Sequence, residues 1–151
     1  VTTLRISNDG RRPAFLLDWL AAPDRMLHAV DCEESYGYSR RLMEALAGAP
    51  IPPLVNVGLC GLRSESLDWA ELESWCAELI AREKTSYYLE QALVAMLAAR
   101  VAQRAVAPAA DYVTKPGRNE GCAPRAVMHH YVAESKRSYF RHGWRHVLAR
   151  P

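Results

Sequence analysis

Residues 54–62, Leu-Val-Asn-Val-Gly-Leu-Cys-Gly-Leu, constrain the fold of this chain more than any other segment. Nearly every position is apolar, whereas a strand with one wet face alternates apolar and polar side chains. An unbroken run of this kind fits a strand covered on both faces, which requires helices packed on a sheet. Pro52 and Pro53 hold the approach to it extended, because proline lacks an N–H and disfavours helix in the residue before it. Gly58 and Gly61 weaken a strand unless something comes close to its backbone. A bound ligand is one such visitor. A strand bulge at Asn56 and Gly58 is the alternative.

Other segments alternate in type around this one. Residues 14–20 carry Phe15, Leu16, Trp19 and Leu20 at helical spacing, with Pro13 suited to the first turn and Pro23 to the stop. Residues 26–30 read as a short strand ending at Asp31, and residues 39–47 as a helix closed by Gly48 and Pro50. After the apolar strand, Ser66 is the expected N-cap of a helix, with Asp68 and Glu71 favoured near its start by the helix dipole. Trp69, Leu72, Trp75, Cys76, Leu79 and Ile80 form its expected buried stripe. A further helix spans residues 87–100, with Leu89, Leu93, Met96, Leu97 and Val101 on the inner side. Strands are expected at residues 1–6, 101–107 and 126–131, a turn at Ser7, Asn8, Asp9 and Gly10, irregular chain over 108–121, and a helical tail over 134–148 broken at Gly143. Strands alternating with helices predict an α/β or α+β layer fold, read as one partial domain over residues 1–151.

Charge and cysteine usage narrow the function. The formal net charge of +2 is too small to argue for nucleic acid. Lys136, Arg137, Arg141, Arg145 and Arg150 do cluster, with Tyr139, Phe140 and Trp144 among them, in a pattern that can stack bases or simply be a solvated helix face. The near-neutral total speaks against nucleic acid as partner. Cys32, Cys60, Cys76 and Cys122 include no Cys-x-x-Cys pair, which leaves a cysteine zinc site without support. Cys60 lies in an apolar run and Cys76 on an apolar helix face, and both read as buried free thiols. A reducing, cytoplasmic compartment is the default. No stretch approaches the ~18 apolar residues of a membrane span, and no signal peptide is visible.

Chemistry concentrates at His129-His130-Tyr131-Val132-Ala133-Glu134-Ser135-Lys136. A neutral imidazole can ligate a divalent metal, and a lysine near a helix start can hold a diphosphate. A hydrogen-bonded histidine and a solvated lysine are the bland alternative. Residues 130–136 resemble the His-Phe-x-Gly-x-x-Lys signature of retaining family 8-like glycosyltransferases, with Ala133 at the glycine position and Arg137 and Ser138 where that family has Pro-Trp. Val55-Asn56-Val57-Gly58-Leu59 resembles the family's Phe-Asn-Ala-Gly-Val. Leu89-Glu90-Gln91-Ala92-Leu93 resembles Asp-Gln-Asp-x-Leu, with Glu90 for the first aspartate and Ala92 for the second, and residues 108–112 resemble the start of Leu-Pro-x-x-Tyr-Asn, with Val113 in place of the asparagine. The order of these segments matches the family over about residues 50–145.

The resemblance implies the C-terminal portion of a GT-A, Rossmann-like fold: a mixed sheet flanked by helices, with the N-terminal nucleotide-binding half and its Asp-x-Asp motif missing. It implies transfer of a sugar from a nucleotide-sugar donor to the hydroxyl of a sugar, protein or lipid acceptor. Glu90 and Gln91 would be the catalytic positions facing the sugar, Asn56, Gly58 and Lys136 would bind substrate, and His130 with Asp9 would hold a manganese or magnesium ion. His129 is the competing ligand, on the opposite face of a strand. With a single carboxylate at Asp9, the isolated chain is expected to transfer little sugar, and its uncovered apolar strand to favour self-association. The alternative from another class is a non-catalytic interaction module derived from a transferase.

Overall fold

A computed structural model describes residues 3–6, 13–115, 126 and 128–145. In chain order the elements are β1 (Thr3–Ile6), α1 (Ala14–Ala21), β2 (Met26–Val30), α2 (Arg40–Ala47), β3 (Val55–Gly61), α3 (Trp69–Glu83), α4 (Leu89–Arg100), β4 (Arg104–Val106), β5 (Tyr112–Thr114), β6 (Met128–Tyr131) and α5 (Lys136–Ser138). The architecture is mixed α/β. The chain falls into two compact units: Trp19–Val106, and a second one joining Val1–Asp18 to Ala107–Pro151. The turn expected at residues 7–10 lies outside the described residues.

In the Trp19–Val106 unit the strand order is β3-β2-β4, with β3 antiparallel and β4 parallel to β2. The central strand is therefore β2, whose first four residues are all buried. The apolar strand β3 lies at the edge of this sheet. Only its first two residues, Val55 and Asn56, are buried, and the rest keep partial exposure, so the expectation of cover on both faces holds for its start alone. Pairing explains the change. Ala29 faces Asn56 while His28 faces Cys60, so Val57, Gly58 and Leu59 bulge out of register. Such a bulge bends the strand and breaks its ladder locally.

Met26, Met43, Ile51, Val55, Trp75, Leu79, Ala92, Ala95 and Met96 form the centre of this unit's core, drawn from β2, α2, β3, α3 and α4. Four sequence expectations are corrected here. The helix after β3 is capped by Asp68, whose Oδ1 accepts the Glu71 N–H at 3.0 Å, while the Ser66 hydroxyl donates to Arg63 O inside a short turn. Its inner face is Trp75 and Leu79, with Leu72 packed beside them. Trp69, at the first helical position, is 71 % exposed, and Ile80 is exposed too. In α4 the buried residues are Gln91, Ala92, Ala95, Met96 and Ala98, with Leu89, Leu93 and Leu97 only half-buried. The alanines let the helix approach closely, and the bulky leucines flank the contact. Cys60 and Cys76 are half-buried, not buried.

The other unit has a three-stranded sheet ordered β1-β6-β5, antiparallel on one side of β6 and parallel on the other. Strand β5 falls within residues expected to be irregular. The tail is helical but not a plain α-helix: a tight turn over Ala133–Ser135 leads into α5 and then into a wider π-type turn over Tyr139–Gly143.

Candidate functional site

The C-terminal end of β2 delivers Asp31 beside two amide side chains that arrive from different elements. Asn56, second residue of β3, donates from Nδ2 to Asp31 Oδ2 at 3.0 Å. Gln91, in the first turn of α4, donates from Nε2 to the same oxygen at 3.1 Å and to Ser35 O at 3.0 Å. The other carboxylate oxygen accepts the Cys32 backbone N–H at 2.7 Å and its thiol at 3.5 Å. Asn56 Oδ1 accepts the Gly58 N–H at 2.8 Å, which ties the bulge of β3 into the cluster. Asn56 and Gln91 are buried, while Asp31 is half-exposed and followed by exposed Cys32, Glu33 and Glu34. The cluster thus opens toward solvent at the carboxylate, at the strand end where α/β sheets commonly bind ligands.

Local sequence explains each placement. The hydrogen bond from Asp31 N–H to Leu54 O extends the β2–β3 pairing past Val30 and fixes the carboxylate beside Asn56. The alanine face of α4 turns Gln91 inward at its N-terminal end. Glu90, one residue earlier, is exposed. It acts electrostatically on Cys60, whose thiol pKa is raised first by burial and then by this carboxylate. Gly61 is approached closely, but by an indole: a Cβ there would lie 2.8 Å from the Trp19 ring. That glycine marks packing within the chain.

Next to the cluster, His28 is buried at the centre of β2, and its Nδ1 is 2.8 Å from Ala29 O. Its pKa is lowered, chiefly by burial, with repulsion from Arg104 adding to the effect and the Ala29 contact opposing it.

His130 and Lys136 belong to the other unit. His130 is buried in the central strand β6, with the Tyr112 ring centroid 6.0 Å away, and His129 is buried with its ring stacked on Tyr131. Lys136 opens α5 and is half-buried. Between them Ala133 has φ +51°, in the left-handed region that favours glycine. Ser135 locks this turn, its hydroxyl accepting Val132 N–H at 2.8 Å and donating to Val132 O at 2.6 Å. Among the described residues, no group of three or more His, Cys, Asp or Glu side chains is placed to share a metal ion. A divalent ion of the magnesium or manganese kind calls for several oxygen ligands, which the described residues do not assemble; Asp9 lies outside them.

Of the sequence-derived candidates, then, Asn56, Gly58 and Gln91 converge, Glu90 stands at the rim of α4, and His130 and Lys136 both belong to the other unit. Asp31, the acceptor on which the amides meet, was read from sequence only as a strand end. Its signal was an acidic residue closing an apolar strand. No protein-family model, curated protein or solved structure matches this chain. Among the described residues no helix is long and apolar enough to cross a membrane.

Proposed function

We propose that this chain is glycosyltransferase-like and that the Asp31–Asn56–Gln91 cluster positions a hydroxyl of the sugar or acceptor. One observation carries the reading. Asn56 and Gln91 come from two segments, 35 positions apart (91 − 56), that resemble active-site motifs of the same family, and their side chains meet on one carboxylate. A carboxylate flanked by amides suits a polyol, because it accepts from hydroxyls while the amides offer both donors and acceptors. The backbone at Ala133 lends further support: the left-handed conformation occurs at the position where the family signature has glycine. In this reading the cluster's role is orientation; Lys136, in the other unit, is by the same resemblance a point charge for a diphosphate and stands as a separate proposal. Glu90 stands beside it as a carboxylate facing solvent.

The test is a binding titration of a panel of nucleoside diphosphate sugars, with and without manganese, against the chain and its Asp31→Asn, Asn56→Ala, Gln91→Ala and Lys136→Ala variants. Cluster variants are expected to weaken binding of the sugar conjugate while leaving the bare nucleoside diphosphate unaffected, and Lys136→Ala, read separately, to weaken the bare nucleoside diphosphate. A chain that binds none of the panel, or folded cluster variants that bind the conjugate as tightly as the parent, would overturn the proposal and favour an interaction module.

A further inference from the structure

A second surface lies on the helical run of residues 136–145 and does not depend on the Asp31 cluster. One side of this run rests on its own sheet. Tyr139 packs its ring 5.3 Å from that of Tyr131. Gly143, one turn later, is buried, and a Cβ there would lie 2.8 Å from Tyr131 Oη. With Tyr139 and Gly143 turned inward, Phe140 and Trp144, four apart, stand about a quarter-turn away, and Arg137, Arg141 and Arg145, also four apart, lie opposite. Residues four apart share a helix face, so these form two adjacent stripes, one aromatic and one basic. All five are exposed, Phe140 to 71 %. Arg145 lies over the Trp144 ring at 5.5 Å. No Asp or Glu occurs within residues 136–145.

We infer that this face binds an anionic phospholipid surface, with Phe140 and Trp144 entering the headgroup–acyl boundary and the three arginines meeting lipid phosphates. Phe140 meets the Tyr139 ring edge to face at 5.4 Å but leaves most of its surface in water, where it gains little, whereas aromatic side chains next to basic ones match a membrane interface, apolar below and anionic above. Charge complementarity is local. The chain as a whole carries only +2, which suits a short basic stripe on a flat anionic surface better than a long polyanion in a basic groove.

The experiment is co-sedimentation of the full chain with phosphatidylcholine vesicles, with and without phosphatidylglycerol, at low and high salt. Binding is expected only with the anionic lipid and is expected to fall at high salt. Each of Arg137→Gln, Arg141→Gln and Arg145→Gln is expected to weaken it about fivefold, and Phe140→Ser with Trp144→Ser to abolish it. The arginines are exposed, so their variants should melt like the parent and decide the matter if the aromatic pair disturbs folding. Equal binding to neutral vesicles would overturn the inference. So would a triple arginine variant that retains affinity, or a single-stranded oligonucleotide that binds more tightly than the vesicles and competes them off.

Discussion

Replacing Asp31 by alanine tests whether the cluster exists as a linked unit. Asn56 is buried and loses the acceptor for its Nδ2, while its Oδ1 remains engaged by Gly58. An orphaned buried donor costs about 1–3 kcal/mol. Gln91 also loses the carboxylate but keeps Ser35 O, so its share is the smaller, about 0.5–1.5 kcal/mol for one hydrogen bond. The Cys32 N–H is exposed, and water replaces its partner at little cost. The total is about 1.5–4.5 kcal/mol, against a stability on the order of 5–15 kcal/mol for a domain. Urea melts followed by tryptophan fluorescence report it, since Trp19 and Trp75 both lie in this unit. Asp31→Ala, Asn56→Ala and the double variant then form a cycle, in which contacting residues show a coupling of about 0.5–3 kcal/mol. Additive losses, or a loss below about 0.5 kcal/mol for Asp31→Ala, would refute the linkage and remove the basis for a sugar-positioning role. A folded Asp31→Ala chain that binds nucleotide sugar unchanged would show the linkage to be structural alone.

Three further outcomes are expected. His28 is depressed below its ordinary pKa of 6.5, so stability is full above that value and declines as pH falls from there through the folded-state pKa; His28→Phe should flatten the melting temperature between pH 6.5 and about 5, and an unchanged pH profile would refute the assignment. Tyr36→Phe removes the hydroxyl that donates to Pro52 O at 2.5 Å and accepts the buried Val55 N–H at 3.0 Å, and should cost about 1–3 kcal/mol in a urea melt. Ala133→Gly relieves a left-handed alanine and should stabilise its unit by about 0.5–1 kcal/mol in spite of the entropy glycine adds to the unfolded chain; a destabilised variant would show that the backbone there is not left-handed.

Secondary structure was readable because its signals are local. The strands at Met26–Val30 and Val55–Gly61 and the helix capped by Ser39 follow from short apolar runs, proline and glycine punctuation and a hydroxyl at the right place. Asn56 and Gln91 were singled out in the sequence only through the resemblance of their neighbours to a family's motifs. What sequence could not supply was the point where they meet. Asp31 gains its partners at 25 and 60 positions' remove, through the β2–β3 register and the docking of α4, and no periodicity encodes a contact at that distance. The same holds for the edge position of β3, for the alanine face that α4 buries in place of its leucines, and for Gly61, emptied for an indole. Hydrophobic pattern determines that a segment is strand or helix. Which face is buried, and which polar side chains share an acceptor, is decided by packing between segments, where the size of a neighbour counts as much as its polarity.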